Sequence, residues 1–250
     1  MAKKFYYDSV ELLDATITAG TYSSGNFSVS ASAVTNEHYL TDQSLSQAVT
    51  SFDDEDTIRI DLSSSNAVDF ITWFMSASDS QPLKFYYSTS ATSGLTEVAS
   101  VSEGSLSPNW NIETFSSQSK RYWFIRCSDG TVDNITELIL GAVLSFENQP
   151  DIGIATQEIF GTDLNTSLGG VEYANKRHEP KTTFQLNFSN ISQTFKNNLV
   201  SFEQDVTNFK KFVYYDDSTY HYVRLDSPIK FTEVAFQRFS ASLKLREQLS

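Results

Sequence analysis

Three histidines, one cysteine and a run of four carboxylates are the residues from which chemistry would have to be built in this 250-residue chain. Nucleophilic catalysis needs a base within hydrogen-bond reach of its nucleophile. None of His38, His178 and His221 stands in such a sequence context, and no G-x-S-x-G elbow occurs. His221 lies between Tyr220 and Tyr222 in a strand-like run, and His178 shares a polar segment with Lys176, Arg177 and Glu179. Asp53-Asp54-Glu55-Asp56 offers hard oxygen ligands of the kind Ca²⁺ takes. The same run also reads as a solvated turn ahead of a strand at Thr57. No H-E-x-x-H, cysteine cluster, EF-hand loop or phosphate-cradling glycine loop is present. The chain is therefore not expected to be an enzyme or to need a cofactor, a structural Ca²⁺ apart. A glycosidase needs only two carboxylates and leaves no linear motif, so a glycan-active protein stays as an alternative.

Sugar recognition uses exposed aromatic faces flanked by amides and acids. Asn36-Glu37-His38-Tyr39 and Pro108-Asn109-Trp110-Asn111 place such residues in or near loops. Tyr39, Trp110 and Asn111 are the candidate carbohydrate contacts; the competing reading has Trp110 starting a strand and packing inward.

The elements that must position these residues are strands. Aromatics carry much of the hydrophobic content, with 19 Phe, 12 Tyr and 3 Trp, and such residues suit a pleated, half-buried surface. After a lead-in strand or two in residues 1–35, strands are expected at Ile58–Leu62, Val68–Phe74, Leu83–Tyr87, Tyr122–Cys127 and Ile135–Leu144. Loops at Ser76–Gln81, Thr89–Leu95 and Glu103–Asn109 separate them. Short strands at this spacing imply an all-β sandwich or barrel. Cys127 falls in an apolar run and reads as a buried thiol.

Charge divides the chain. Residues 1–148 hold 7 Lys/Arg and 19 Asp/Glu, a balance of −12, and residues 149–250 hold 11 and 12, a balance of −1. The total of −13 argues against general nucleic-acid binding, which needs a basic footprint. No run approaches 18 apolar residues, so no membrane span is expected. No secretory signal is read at the start, which implies synthesis in a cytoplasm. The polar stretch Glu147-Asn148-Gln149-Pro150 is the expected junction between a β-sandwich of residues 1–148 and a β-rich domain of residues 149–250.

In the second domain Phe184, Leu186 and Phe188 alternate as a half-buried strand. Ile191, Phe195, Leu199, Phe202 and Val206 then fall on one helical face, with Asn190 as the expected cap and Gln193 as its reciprocal partner. Strands at Phe212–Tyr215, Tyr220–Leu225 and Phe239–Arg246 complete the module. Residues 151–180 lack periodicity and read as a long loop, either a surface excursion or an arm toward a neighbouring subunit.

The stretch Asn36–Leu144 resembles the discoidin-like (galactose-binding-like) jelly rolls, through Thr57-Ile58-Arg59-Ile60-Asp61-Leu62, Leu83–Ser90 and Lys120-Arg121-Tyr122-Trp123-Phe124-Ile125-Arg126. The C-terminal third is similar to tail-tip and distal tail proteins of long-tailed bacteriophages. Gly169-Gly170-Val171-Glu172-Tyr173, Lys181-Thr182-Thr183-Phe184-Gln185-Leu186, the helix and the closing strand carry that likeness. It implies a belt-like module in a homo-oligomeric, sixfold ring within the virion tail, in contact with tube, hub or fibre proteins. A peripheral sandwich would be displayed outward, where it can meet host-surface glycan. Gly169, Gly170, Tyr173 and Arg177 are the candidate assembly contacts. A stand-alone carbohydrate-binding module is the alternative.

Overall fold

A computed structural model describes residues 3–248 except 31, 80, 103, 152–153, 168–169 and 171, with Leu164 described by its backbone alone. Its contacts cluster into two compact units, Tyr6–Val143 and Met1–Phe5 with Leu144–Leu249.

The first unit is an antiparallel β-sandwich of jelly-roll type. After β1 (Lys4–Tyr7), which both units share, it runs through β2 (Thr16–Ser23), β3 (Asn26–Val29), β4 (Phe52–Asp53), β5 (Asp56–Met75), β6 (Leu83–Ser88), β7 (Thr96–Val101), β8 (Asn109–Cys127), β9 (Thr131–Val132) and β10 (Ile135–Ser145). The long strands β5 and β8 each serve two layers. Thr57–Asp61 registers with Tyr122–Arg126 beside β2 and β6, whereas Phe70–Met75 registers with Asn109–Thr114 beside β10. Ile58, Ile60 and Leu62 from one half share a core with Ile71, Trp73 and Met75 from the other, closed by Phe85, Trp123, Ile125, Leu138 and Leu140.

The expected strands Ile58–Leu62 and Val68–Phe74 are thus one bent strand. Ser63-Ser64-Ser65-Asn66 looks like a loop in sequence but is carried as an irregularity of the ladder, with Ser63 at φ 62°. Asp61 fixes the bend: it accepts the Ser63 N–H at 2.9 Å and two guanidinium bonds from Arg121 at 2.7 and 2.9 Å. Such bidentate pairs are the stronger, more specific kind of charged hydrogen bond. The Arg121 bond holds the Asp61 carboxyl below its ordinary range.

The second unit contains β11 (Ala155–Thr166), β12 (Glu172–Ser192), α1 (Gln193–Val206), β13 (Phe212–Tyr215), β14 (Tyr220–Leu225), β15 (Lys230–Ala235) and β16 (Arg238–Glu247). The strand order is β11-β12-β16-β14-β13, with β15 on β16, and α1 packs on β12 and β16. Phe195, Leu199, Phe202 and Val206 are buried along the helix, and Phe188, Leu243 and Leu245 are buried on the two strands it packs on. Phe188 meets Phe195 edge-on at 5.8 Å, and Phe5 stacks on Phe202 at 5.0 Å. Each such side chain contributes about 1.5–3 kcal/mol of burial.

Two expectations need correction. The cap is Ser192, whose Oγ accepts the Phe195 N–H at 3.1 Å, not Asn190. Pairing of β12 with β16 persists to Ser192↔Arg238, so Asn190 and Ile191 are still strand and the helix starts later. Gln193 accordingly bonds Asn197 one turn on, at 2.8 Å, rather than reaching back. The second correction concerns residues 151–180. Most of them are strand: Ala155–Thr166 pairs antiparallel with the first half of β12. A ribbon exposed on both faces has no buried side, so no apolar alternation marks it.

Candidate functional site

The sugar candidates on the jelly roll do not form an open platform. Trp110 is β8's second residue, registered against Phe74; it is 6% exposed and meets that ring edge-on at 5.5 Å. It packs inward and cannot stack on a sugar in this arrangement. Asn111 spends its amide on its own loop, donating to Ser107 O at 2.9 Å and Asn109 O at 3.1 Å and accepting from Ser107 N–H at 3.2 Å. Tyr39 is half-buried on a 3-10 turn with its ring 4.4 Å from that of His38. The loops that hold these residues do gather at one end of β5, since Asn109 and Ile135 both register against Met75 and Val49 N–H donates to Ile135 O at 2.8 Å.

An open groove of about 260 Å³ lies elsewhere on this unit, lined by Ser9, Glu11, Asp14, Ser63, Ser64 and Asn66 among others. It is walled in part by the β5 bend at Leu62–Ser64 and Asn66. Hydroxyls, an amide and two carboxylates there supply the donors and acceptors that polyhydroxylated ligands engage.

His221, Cys127 and the acidic run are engaged in bonding and packing. His221 lies between Asp216 Oδ2 at 3.1 Å and Glu247 Oε1 at 3.4 Å and packs on Phe184. It ties the β13–β14 turn to the closing strand. Burial pushes the Cys127 thiol up to about 11, which leaves almost no thiolate near neutral pH. The acidic run is a turn: Asp53 accepts from Thr131 Oγ1 at 2.5 Å, Asp56 from Asp53 N–H at 3.1 Å, and Glu55 pairs with Arg126. Among the described residues no three His, Cys, Asp or Glu side chains converge to hold a metal.

The β11–β12 ribbon is the most distinctive surface. Pairing of β12 with β16 begins at Thr183, so Glu172–Thr182 overhangs its sheet by about 35 Å at ~3.3 Å per residue. Pro180 cannot donate to the ladder and sits where the register shifts between Ile159↔Lys181 and Gly161↔His178, the bulge position where strand proline is tolerated. Beside it opens a groove of about 310 Å³ lined by Phe160, Gly161, Lys176, His178, Glu179 and Pro180. Tyr173 and Arg177 share a face by strand alternation, and Arg177 pairs with Asp163 across the ribbon. Phe160 is 66% and Tyr173 57% exposed. Gly170 lies in the turn at the ribbon's end, donating its N–H to Ser167 O at 2.9 Å. Gly169 lies outside the described residues.

Strand order and register define the class: a jelly-roll β-sandwich module joined to a β-rich unit with one helix. No protein-family model matches the sequence, and no curated protein matches it either. Solved structures that it resembles are carbohydrate-binding modules and enzymes. One is chitosan-binding module 1 of a chitosanase/glucanase from Paenibacillus sp. IK-5, 17% identical, covering 52% of this chain and 97% of that one at a TM-score of 0.40. The CBM32 of AlyQ in complex with 4,5-unsaturated mannuronic acid is 20% identical over 54% of this chain and 96% of that one, at 0.41. A Ruminococcus gnavus GH29 fucosidase matches at 16% identity over 55% of this chain and 26% of its own, at 0.41.

Proposed function

We propose that this chain is a structural assembly protein whose C-terminal unit joins copies into a closed ring through the β11–β12 ribbon, with the jelly-roll unit carried outward. The overhanging ribbon carries this reading. A two-stranded hairpin is at best marginally stable in water by itself, and this one exposes Phe160 and Tyr173 along its length. Docking on a second subunit buries those rings and completes the sheet.

Charge supports the same division of labour. Residues 6–143 hold 18 Asp/Glu against 5 Lys/Arg, a balance of −13, while the remaining residues hold 13 of each. Neutral units approach one another without net repulsion, whereas crowded jelly rolls repel. Closed rings need a heterologous contact whose rotation closes. The resemblance to bacteriophage tail-tip and distal tail proteins supplies the setting: a sixfold ring in the virion tail that contacts tube, hub or fibre proteins. Light scattering on the purified chain should give a multiple of 28.1 kDa. Replacing residues 163–175 by Asn-Gly should return it to a monomer with the jelly roll folded. A monomer at every concentration for the unaltered chain would remove this reading.

A second reading is glycan binding by the jelly-roll unit, favoured by the groove that contains Glu11, Asp14, Ser63, Ser64 and Asn66. The neighbouring modules named for chitosan and mannuronic acid set the probes: chitotriose and uronate oligosaccharides, titrated into the full chain. Binding lost in Asp14→Ala and Asn66→Ala supports it; no heat with either probe at millimolar concentration removes it.

A further inference from the structure

The sheet of the C-terminal unit has two free strand edges among its described residues. One is β11, at the end of the order; the other is β15, which pairs with β16 alone. Unpaired edges are templates for another chain unless lysine, proline or shortness blunts them. β11 is 12 residues long and contains neither lysine nor proline. β15 is exposed along nearly all its length, and at its end Val234 is 56% and Phe236 87% exposed.

We infer that the β11 edge of one copy pairs with the β15 edge of a second copy. This rests on the ring reading and names its interface. The charges favour the heterologous pairing over the alternatives. Glu158 and Asp163 are the only charged residues of β11, while β15 itself balances Lys230 against Glu233. Two β11 edges related by a two-fold axis would set carboxylates on one strand against carboxylates on the other, and like charges in register are destabilising. An acidic edge against a balanced one has no such penalty. Both edges also carry exposed apolar side chains: Phe160 on β11, and Val234 and Phe236 at the end of β15. Because the two edges differ, each copy keeps one of each free, and the contact propagates until the ring closes.

Gln157→Cys on β11 and Thr232→Cys on β15 test this, since both side chains are exposed and the native Cys127 is fully buried. With a short bis-maleimide, a mixture of the two single variants should yield a linked dimer, and each variant alone should not. The double variant should yield a ladder ending at the ring. Phe236→Ser should raise the concentration for half-assembly roughly tenfold. Linkage in Gln157→Cys alone would replace this interface with a two-fold one. No linkage in the mixture, with light scattering still reporting a ring, would overturn this interface and leave the ring reading standing. A monomer throughout would overturn both.

Discussion

Gly161 of β11 stands across the ribbon from His178 of β12, so closely that a β-carbon on the glycine would lie 2.4 Å from the imidazole. The ring therefore rests over the glycine, in the manner by which aromatic side chains cover strand glycines, and forms part of the 310 Å³ groove. Its Nδ1 lies 2.6 Å from Glu179 O. Gly161→Val displaces an exposed side chain rather than backbone. Its thermal stability should stay within about 0.5 kcal/mol of the parent, while assembly measured by light scattering should fall. An unchanged oligomer in that variant would take the groove out of the contact.

Phe195 fixes α1 to its sheet, 2% exposed and in ring contact with Phe188 and Phe146. Phe195→Ala should cost about 3–5 kcal/mol, read as a lowered denaturant midpoint. Phe209, three residues past the helix and 62% exposed, is the control: Phe209→Ala should leave the midpoint nearly where it was.

Trp110 separates packing from recognition. Trp110→Ala should destabilise the jelly-roll unit by about 3–5 kcal/mol and leave any glycan affinity of the folded fraction unchanged. A stable variant with lost binding would restore Trp110 as a sugar platform.

Acid should loosen the β13–β14 turn. Burial by itself would raise the Asp216 carboxyl, but the backbone N–H groups of Thr219 and Ser218, the Ser218 hydroxyl and His221 outweigh it and lower its pKa well below the ordinary value. A carboxylate depressed in the folded state contributes stability that is present above its unfolded value of about 3.9 and lost as pH falls through the folded one. The melting temperature should therefore fall progressively below about pH 4, and Asp216→Asn should flatten that fall while lowering stability near neutrality. Equal slopes in parent and variant would show that other carboxylates dominate.

Much of the molecule follows from local pattern. The alternation Phe184, Leu186, Phe188 and the stripe Phe195, Leu199, Phe202, Val206 name the buried faces of the C-terminal unit, because one side of each element is apolar and the other polar. The strands Phe212–Tyr215 and Tyr220–Leu225 are legible for the same reason, with Asp216 and Ser218 as turn formers between them. The helix cap was not: Asn190 and Ser192 are both competent, and only the reach of the β12–β16 ladder chooses Ser192.

Where no face is buried, the sequence falls silent. The ribbon strands Ala155–Thr166 and Glu172–Thr182, and β15, leave both sides in water, so their side chains follow no apolar period and backbone pairing sets their course. Burial decides the sugar candidates too. Trp110, Asn111 and Tyr39 have the right types for a loop site, but register against Phe74 turns the indole inward and the Ser107–Asn109 loop consumes the amide. Residue type is written in the chain; exposure is a property of what folds over it. The groove beside Ser63 arises from the same cause, since its walls come from segments some fifty residues apart that the pairing of β2 with β5, Thr16 opposite Asp61, brings together.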